Sequence, residues 1–322
     1  MEKVNLIVTG QLKDKSRLIS SSLSFYNNPQ IEEKILSTWT EEVDKNKALF
    51  IFLEKLGFKI IHEKQPLYKN RSIFYQMKSF ENGLNNISNK SLRVFKSRTD
   101  LRVSSYGLKK IFNLNYQHSK NDISIFNEKI WIPFFEVSKP FYIGDECFFA
   151  NYYDSLKLVN YETFYDDLDI GAGISHVRKF GNPYYEVFPE LLNFLKKYSD
   201  MMFFNKNRFD LIKNYLKNEN FLDYLFFYYI ILKKDFRIGL NLKNQYIYFR
   251  EWSNGKNQPK EVNFLNSFNE KFTFNNQAGQ IFSHNETWLN SLYEEKFCEQ
   301  RLEKNKLYDT YLKKLVWIVK KI

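Results

Sequence analysis

Cysteine and histidine are almost missing from this sequence. Its 322 residues include two cysteines, Cys147 and Cys298, which make no disulfide framework. The four histidines, His176 and His284 among them, gather into no cluster with each other or with cysteine, which excludes a His/Cys zinc site. So little cysteine reads as a reducing, cytoplasmic compartment. Long apolar runs are missing too. The most apolar stretch, "FLDYLFFYYIIL" (221–232), is 12 residues long and contains Asp223. A membrane span needs roughly 20 apolar residues, so this stretch is expected to be a buried helix. The apolar run in "MEKVNLIVTG" is too short for a signal-peptide core. Internal repeats and low-complexity linkers are absent, so no sharp domain boundary is marked.

What is present is an ordinary globular composition, with 43% hydrophobic and 26% charged residues. Aromatics reach 18%, but Lys, Asn and Ile are abundant as well, the mark of an AT-rich genome, so aromatics alone carry no functional message. Net charge is +11, from 48 basic and 37 acidic residues. That excess favours an anionic partner: nucleic acid, an anionic membrane surface, or a phosphate-bearing substrate. The basic residues are spread, and no RNP, zinc-finger or helix-turn-helix signature occurs, so a nucleic-acid partner is not expected.

The first hundred residues alternate between short apolar runs and helix-period stretches. "VNLIVTG" (4–10), "EKILSTWT" (33–40), "FKIIHE" (58–63) and "SLRVFKSRTD" (91–100) read as strands. Helices are expected over 16–26, 41–56 (closed by Gly57) and 70–87. Such alternation predicts an α/β fold, a mostly parallel Rossmann-type sheet flanked by helices. Beyond it, 129–137 and 140–149 read as strands, 151–159 as a helix and the Gly- and Pro-containing stretch 171–185 as a loop. Residues 189–232 and 301–322 are expected to be mainly helical, with a hairpin or strand at 236–250.

Ligands of parallel sheets bind beyond the carboxyl ends of the strands. Those ends carry Thr9, Gly10 and Gln11, then Ser37 to Thr40, then Lys96 to Asp100. Lys96, Arg98 and Asp100 alternate, which on a strand points all three to one face. Two readings follow: two cations and a carboxylate for a diphosphate and its divalent ion, or an Arg–Asp pair on a surface loop. Asn70 and Arg71 stand at a helix N-terminus, where anions are favoured, although Asn70 also suits a plain N-cap. Asp145 and Glu146, placed at a strand end, suit acid/base work. Glu190, after Pro189, suits either that role or a helix-capping one. His176 and His284 fall in polar stretches, where a lone His is usually solvated. The Lys-rich amphipathic residues 313–322 could lie on an anionic membrane or simply dock as a terminal helix.

The ordered set "NLIVTGQL", "QIEEKILSTWTEE", "NRSIFYQMKSFENGLNNI" and "VFKSRTDLRV" resembles the WavE lipopolysaccharide-synthesis family. The likeness is good over residues 4–104 and looser at "GDECFFANYYDSLK" and "FPELLNFL". It implies a GT-A-like glycosyltransferase that takes a nucleotide-sugar donor and acts on a capsule, lipooligosaccharide or lipopolysaccharide acceptor. It also implies roles: Thr9, Gly10 and Gln11 beside the nucleotide, Asn70 and Arg71 on ribose or phosphate, and Lys96 and Arg98 on the diphosphate. Asp100 would hold Mg²⁺ or Mn²⁺, although Arg98 stands where the first acid of the usual Asp-x-Asp motif belongs. Glu190 and Asp145 are the candidate bases for the acceptor hydroxyl. Residues 1–200 would form the catalytic region and 201–322 a mainly helical elaboration. A transferase of phosphoryl-linked groups and a basic nucleic-acid-binding protein are the alternatives.

Overall fold

The computed structural model describes residues 2–66, 72–120, 122–136, 139–159, 172–203, 218–239, 247–248, 260–265, 270–275, 280–283 and 304–320. Two compact units interleave along the chain: 1–116, 145–168 and 240–255 form the first, the remaining segments the second.

The first unit begins with β1 (Val4–Thr9), α1 (Lys15–Tyr26), β2 (Ile31–Trp39), α2 (Thr40–Lys45), α3 (Lys47–Lys55) and β3 (Phe58–Glu63). It continues with α4 (Ser72–Asn85), β4 (Arg93–Arg98), β5 (Arg102–Val103) and α5 (Ser105–Phe112). The chain then contributes β6 (Ile130–Ile132) and β7 (Phe135–Glu136) to the second unit and returns with β8 (Phe148–Asn151) and α6 (Tyr152–Lys157). α7 (Ala172–Val187), α8 (Leu191–Phe203), α9 (Glu219–Asp235) and β9 (Phe236–Ile238) belong to the second unit. β10 (Ile247–Tyr248) goes back to the first, pairing antiparallel with β5. β11 (Lys260–Leu265), β12 (Glu270–Asn275), β13 (Gln280–Ser283) and α10 (Lys306–Val319) complete the second.

In the first unit the strands run β3-β2-β1-β4-β8, the first four parallel and β8 antiparallel to β4. This is the expected mostly parallel α/β sheet. β1 is buried along its whole length, as a central strand of such a sheet should be, whereas the edge strand β3 is buried only at Phe58. Leu6, Ile7, Val8, Ile35, Leu36, Val94 and Phe95 are at most 1% exposed, each worth about 1.5–3 kcal/mol of burial. β1 lies between its neighbours in a register that levels their ends: Thr9 is opposite Ser37 on β2 and Arg98 on β4. α4 packs against β1 closely enough that a Cβ on Gly83 would come within 2.5 Å of Ile7 Cγ2, so no larger residue fits there without a shift.

The second unit pairs β6 in parallel with β9 and holds a separate antiparallel sheet, β11-β12-β13-β7. Its interior is a cluster of rings around Phe141, whose centroid lies 5.2 Å from Tyr184 and 5.3 Å from Tyr228. Among the described residues no helix is long and apolar enough to cross a membrane.

Four local expectations need correction. Residues 172–187 form α7, not a loop. The apolar residues Ile174, Val177, Phe180 and Tyr184 recur at helical spacing, and that period outweighs the glycines and Pro183. Residues 140–147 are not a continuous strand: β8 begins at Phe148, so Asp145 and Glu146 precede a strand instead of ending one. Pro133, which has no N–H to give a ladder, separates β6 from β7. The helix expected over 41–56 is split at Asn46, whose backbone leaves the helical region at φ −133° while its side chain donates to the Glu42 carbonyl at 2.8 Å.

Candidate functional site

The levelled ends of β1, β2 and β4 open into a cleft of about 80 Å³. Its lining includes Gly10 and Gln11 after β1, Trp39 at the end of β2, Tyr75 and Gln76 on α4, and Arg98 to Asp100 after β4. Strand β1 can turn sharply here because Gly10 has φ +114°, a conformation that side chains rarely allow. The turn is then pinned from both neighbouring strands. Thr38 Oγ1 donates to the Gly10 carbonyl at 2.9 Å, and Thr99 Oγ1 to the Gln11 carbonyl at 2.5 Å. Thr9 is fully buried, its hydroxyl donating to the Ser97 carbonyl at 3.3 Å. Ser79 Oγ donates to the Ser37 carbonyl at 2.6 Å and ties α4 to the same edge. Trp39 and Tyr75 meet edge to face, centroids 5.8 Å apart, as an aromatic wall.

Arg98 and Asp100 form the ionic core of the cleft. Arg98 Nε donates to Asp100 Oδ1 at 2.8 Å and Nη2 to Oδ2 at 2.6 Å, a forked pair. The Asp100 side chain is 5% exposed and that of Arg98 23%. Burial works against the Arg98 charge, but the Asp100 hydrogen bond and the carboxylates of Asp145, Asp100 and Glu146 more than offset it. The guanidinium is therefore held above its ordinary pKa and stays charged.

Lys96 is placed differently. It is fully buried, does not line the cleft, and donates to the backbone carbonyls of Asp145 and Glu146 and, at 3.5 Å, to Gln76 Oε1. A cation that looked like a phosphate ligand in the sequence instead fastens the Asp145–Glu146 turn to β4 and α4. Glu146 Oε2 is enclosed without a hydrogen bond. Burial, reinforced by the Asp145 charge, raises the Glu146 carboxyl to about 7, against the pull of Arg98 and Lys96. Cys147 next to it is buried, and burial pushes its thiol up, so it is no thiolate nucleophile.

The structure thus brings Thr9, Gly10, Gln11, Arg98 and Asp100 together around the cleft, with Lys96 and Asp145 close behind. Of the two readings of Arg98 and Asp100, the pairing is what the structure contains, although the pair lines the cleft with Asp100 buried and does not lie on a surface loop. Asn70, Arg71 and His284 lie outside the described residues; His176 falls within α7 rather than a loop. Glu190 belongs to the second unit and does not line this cleft. It is exposed, and both its oxygens accept from Lys314 Nζ, at 2.6 and 2.7 Å. That hydrogen bond holds its carboxyl below the usual range, which suits an ion pair better than a base.

The expectation of Mg²⁺ or Mn²⁺ at Asp100 meets a geometric obstacle, since both Asp100 oxygens are taken by Arg98. Among the described residues no three of His, Cys, Asp and Glu gather to hold a metal ion. As arranged, this donor set does not fit a resident divalent ion. Trp39 and Thr99 fall within the strand ends expected to face a ligand, whereas sequence reasoning gave no cleft role to Tyr75 and Gln76, whose only signal was their place on the helix that follows β3.

No protein-family model matches the chain, and no curated protein matches it. Solved structures with a similar course include the apo glycosyltransferase GlyE of Streptococcus pneumoniae, 11% identical, with a TM-score of 0.33. That match covers 59% of this chain and 44% of GlyE, less than half of the latter. A second is the 4-diphosphocytidyl-2C-methyl-D-erythritol synthase of Anaerococcus prevotii: 12% identity, TM-score 0.37, 56% of this chain and 83% of that one. A third is the inositol-1-phosphate CTP transferase of T. maritima, with 15% identity, a TM-score of 0.35, and 56% and 81% coverage. At such scores these likenesses decide nothing about activity, and the α/β class stands on the sheet order itself.

Proposed function

We propose that this chain is a glycosyltransferase, moving a sugar from a nucleoside diphosphate donor to a hydroxyl of a glycan or glycolipid. The WavE-like motifs point to a capsule or lipopolysaccharide type of acceptor. The observation that carries the reading is the cleft itself: a glycine turn, an aromatic wall and a forked Arg–Asp pair converge where parallel sheets bind nucleotides.

In this reading the nucleoside lies along Gly10, Gln11 and the Trp39–Tyr75 wall, with the diphosphate toward Arg98. As the bond between sugar C1 and the phosphate oxygen breaks, negative charge grows on the departing diphosphate. A guanidinium already charged and held in place stabilises that charge without reorganising. The acceptor oxygen forms the new bond to C1, and its proton passes to a carboxylate. Asp145, fastened through its carbonyl by Lys96 and close enough to raise the Arg98 pKa, is favoured over Glu190 for that step.

The test is donor hydrolysis or sugar transfer by purified protein with UDP-, GDP- and CMP-sugars, with and without Mn²⁺. Arg98→Ala is expected to abolish the nucleotide-induced rise in melting temperature and to cut transfer at least 100-fold, about 2.7 kcal/mol or more of lost charge stabilisation. Full activity in both Arg98→Ala and Asp100→Ala would place the site elsewhere.

A further inference from the structure

We propose that the outward face of α10 is a docking surface for an anionic lipid bilayer. One side of the helix is anchored in the interior of the second unit. Tyr308, Tyr311 and Leu315 are buried, at 8%, 1% and 4% exposure. Tyr311 packs its ring 5.9 Å from Tyr184 and 5.7 Å from Phe227. Asn305 caps the first turn, its Oδ1 accepting from the Tyr308 N–H at 2.9 Å, and donates to the Asp223 carbonyl at 2.8 Å. Lys314 is committed to Glu190.

The opposite side carries Lys306, Thr310, Lys313, Trp317 and Lys320, all exposed and spaced four, three, four and three residues apart, one stripe of a helix. Trp317 is 58% exposed at its centre. Between 304 and 320 five lysines face one acid, Asp309. Lys306, Lys313 and Lys320 make no ion pair with a described residue. The sequence suggested residues 313–322 as a block; the structure divides the adjacent lysines, turning Lys314 to a partner and Lys313 to water.

An indole flanked by lysines matches the chemistry of a bilayer interface. Tryptophan favours the headgroup level, and lysines keep their ammonium groups among anionic headgroups while their stems cover apolar surface. Each lysine near such a surface adds about fivefold to the partition coefficient. No described helix can span a bilayer, so contact is along the surface. A single row of charges with one central aromatic offers nucleic acid no stacking platform or groove, and an acidic protein no pocket.

The test is co-sedimentation of the full chain with vesicles of phosphatidylcholine alone and with 30% phosphatidylglycerol, at about 50 and 500 mM NaCl. Binding is expected only to the anionic vesicles and only at low salt. Lys313→Glu with Lys320→Glu should lower partition at least 100-fold, and Trp317→Ala severalfold. Lys313→Arg with Lys320→Arg should retain binding, which separates charge from folding. Equal binding to neutral vesicles, no binding to either, or unchanged binding by the Glu variant overturns the proposal. So does tight, variant-sensitive retention of RNA without vesicle binding.

Discussion

Replacing Glu146 by Gln tests the electrostatic account of the site most directly. Glu146 stands beside Asp145 with one oxygen enclosed and without a hydrogen bond. Burial and that neighbouring charge raise its carboxyl from 4.5 to about 7. An unfolded chain releases this proton near 4.5, whereas the folded chain holds it until about 7. Between those values the unfolded state binds fewer protons, so stability falls as pH rises. Each pH unit in that window is worth about 1.4 kcal/mol, giving a full penalty of about 3 kcal/mol above pH 7. Gln has the same shape and no charge, so Glu146→Gln removes the penalty. The variant and the wild type should melt together at about pH 4.5. The variant should then gain steadily, reaching about 3 kcal/mol, on the order of 5 °C, by about pH 8.5. Melting curves across this range give the result as a difference, in which titrating groups remote from Glu146 cancel. A gap that does not change with pH, or a variant that is less stable at pH 8.5, would refute the placement of this carboxylate.

Three further substitutions probe how the cleft is built. Lys96→Met strands the carbonyls of Asp145 and Glu146 in a buried setting, each costing about 1–3 kcal/mol, partly offset by removing a buried charge. A net loss of about 2 kcal/mol in denaturant unfolding is expected. Gly10→Ala forces a side chain into φ +114° and should cost about 1–3 kcal/mol. It should also weaken nucleotide-induced thermal stabilisation, because the turn it strains lines the cleft. Gly83→Ala drives a methyl to 2.5 Å from Ile7 and should cost about 1–3 kcal/mol in melting experiments, while nucleotide binding survives if the edge of the sheet is undisturbed.

The parallel sheet was legible because each of its strands is a short apolar run followed by a helix-period stretch. β3 matches its expected bounds residue for residue, and β1, β2 and β4 match to within two or three residues. The strands near 130–150 were not so legible, since apolar content there continues through Pro133 and through the turn at Asp145. α7 was missed because glycine and proline counted as breakers while its apolar period was passed over. At the site, Gly10, Gln11, Arg98 and Asp100 followed from one topological rule about strand ends. Lys96 misled because alternation puts it on the same side as Arg98 but says nothing of depth. Two residues earlier on β4, that side is roofed by α4 and by the turn before β8.

The sequence by itself determined the sheet class, the strand ends at which a ligand is expected, and the charges available there, because strand period and the alternation of strands with helices are local properties. Tertiary structure alone decided which charges are used and how. Register levelled Thr9, Ser37 and Arg98, α4 brought Tyr75 and Gln76 to the β-strand ends, and the turn before β8 surrounded Arg98 with carboxylates and enclosed Lys96. These are contacts between residues tens of positions apart. Burial and pairing, which set the chemistry of a charged group, exist only once the chain has folded.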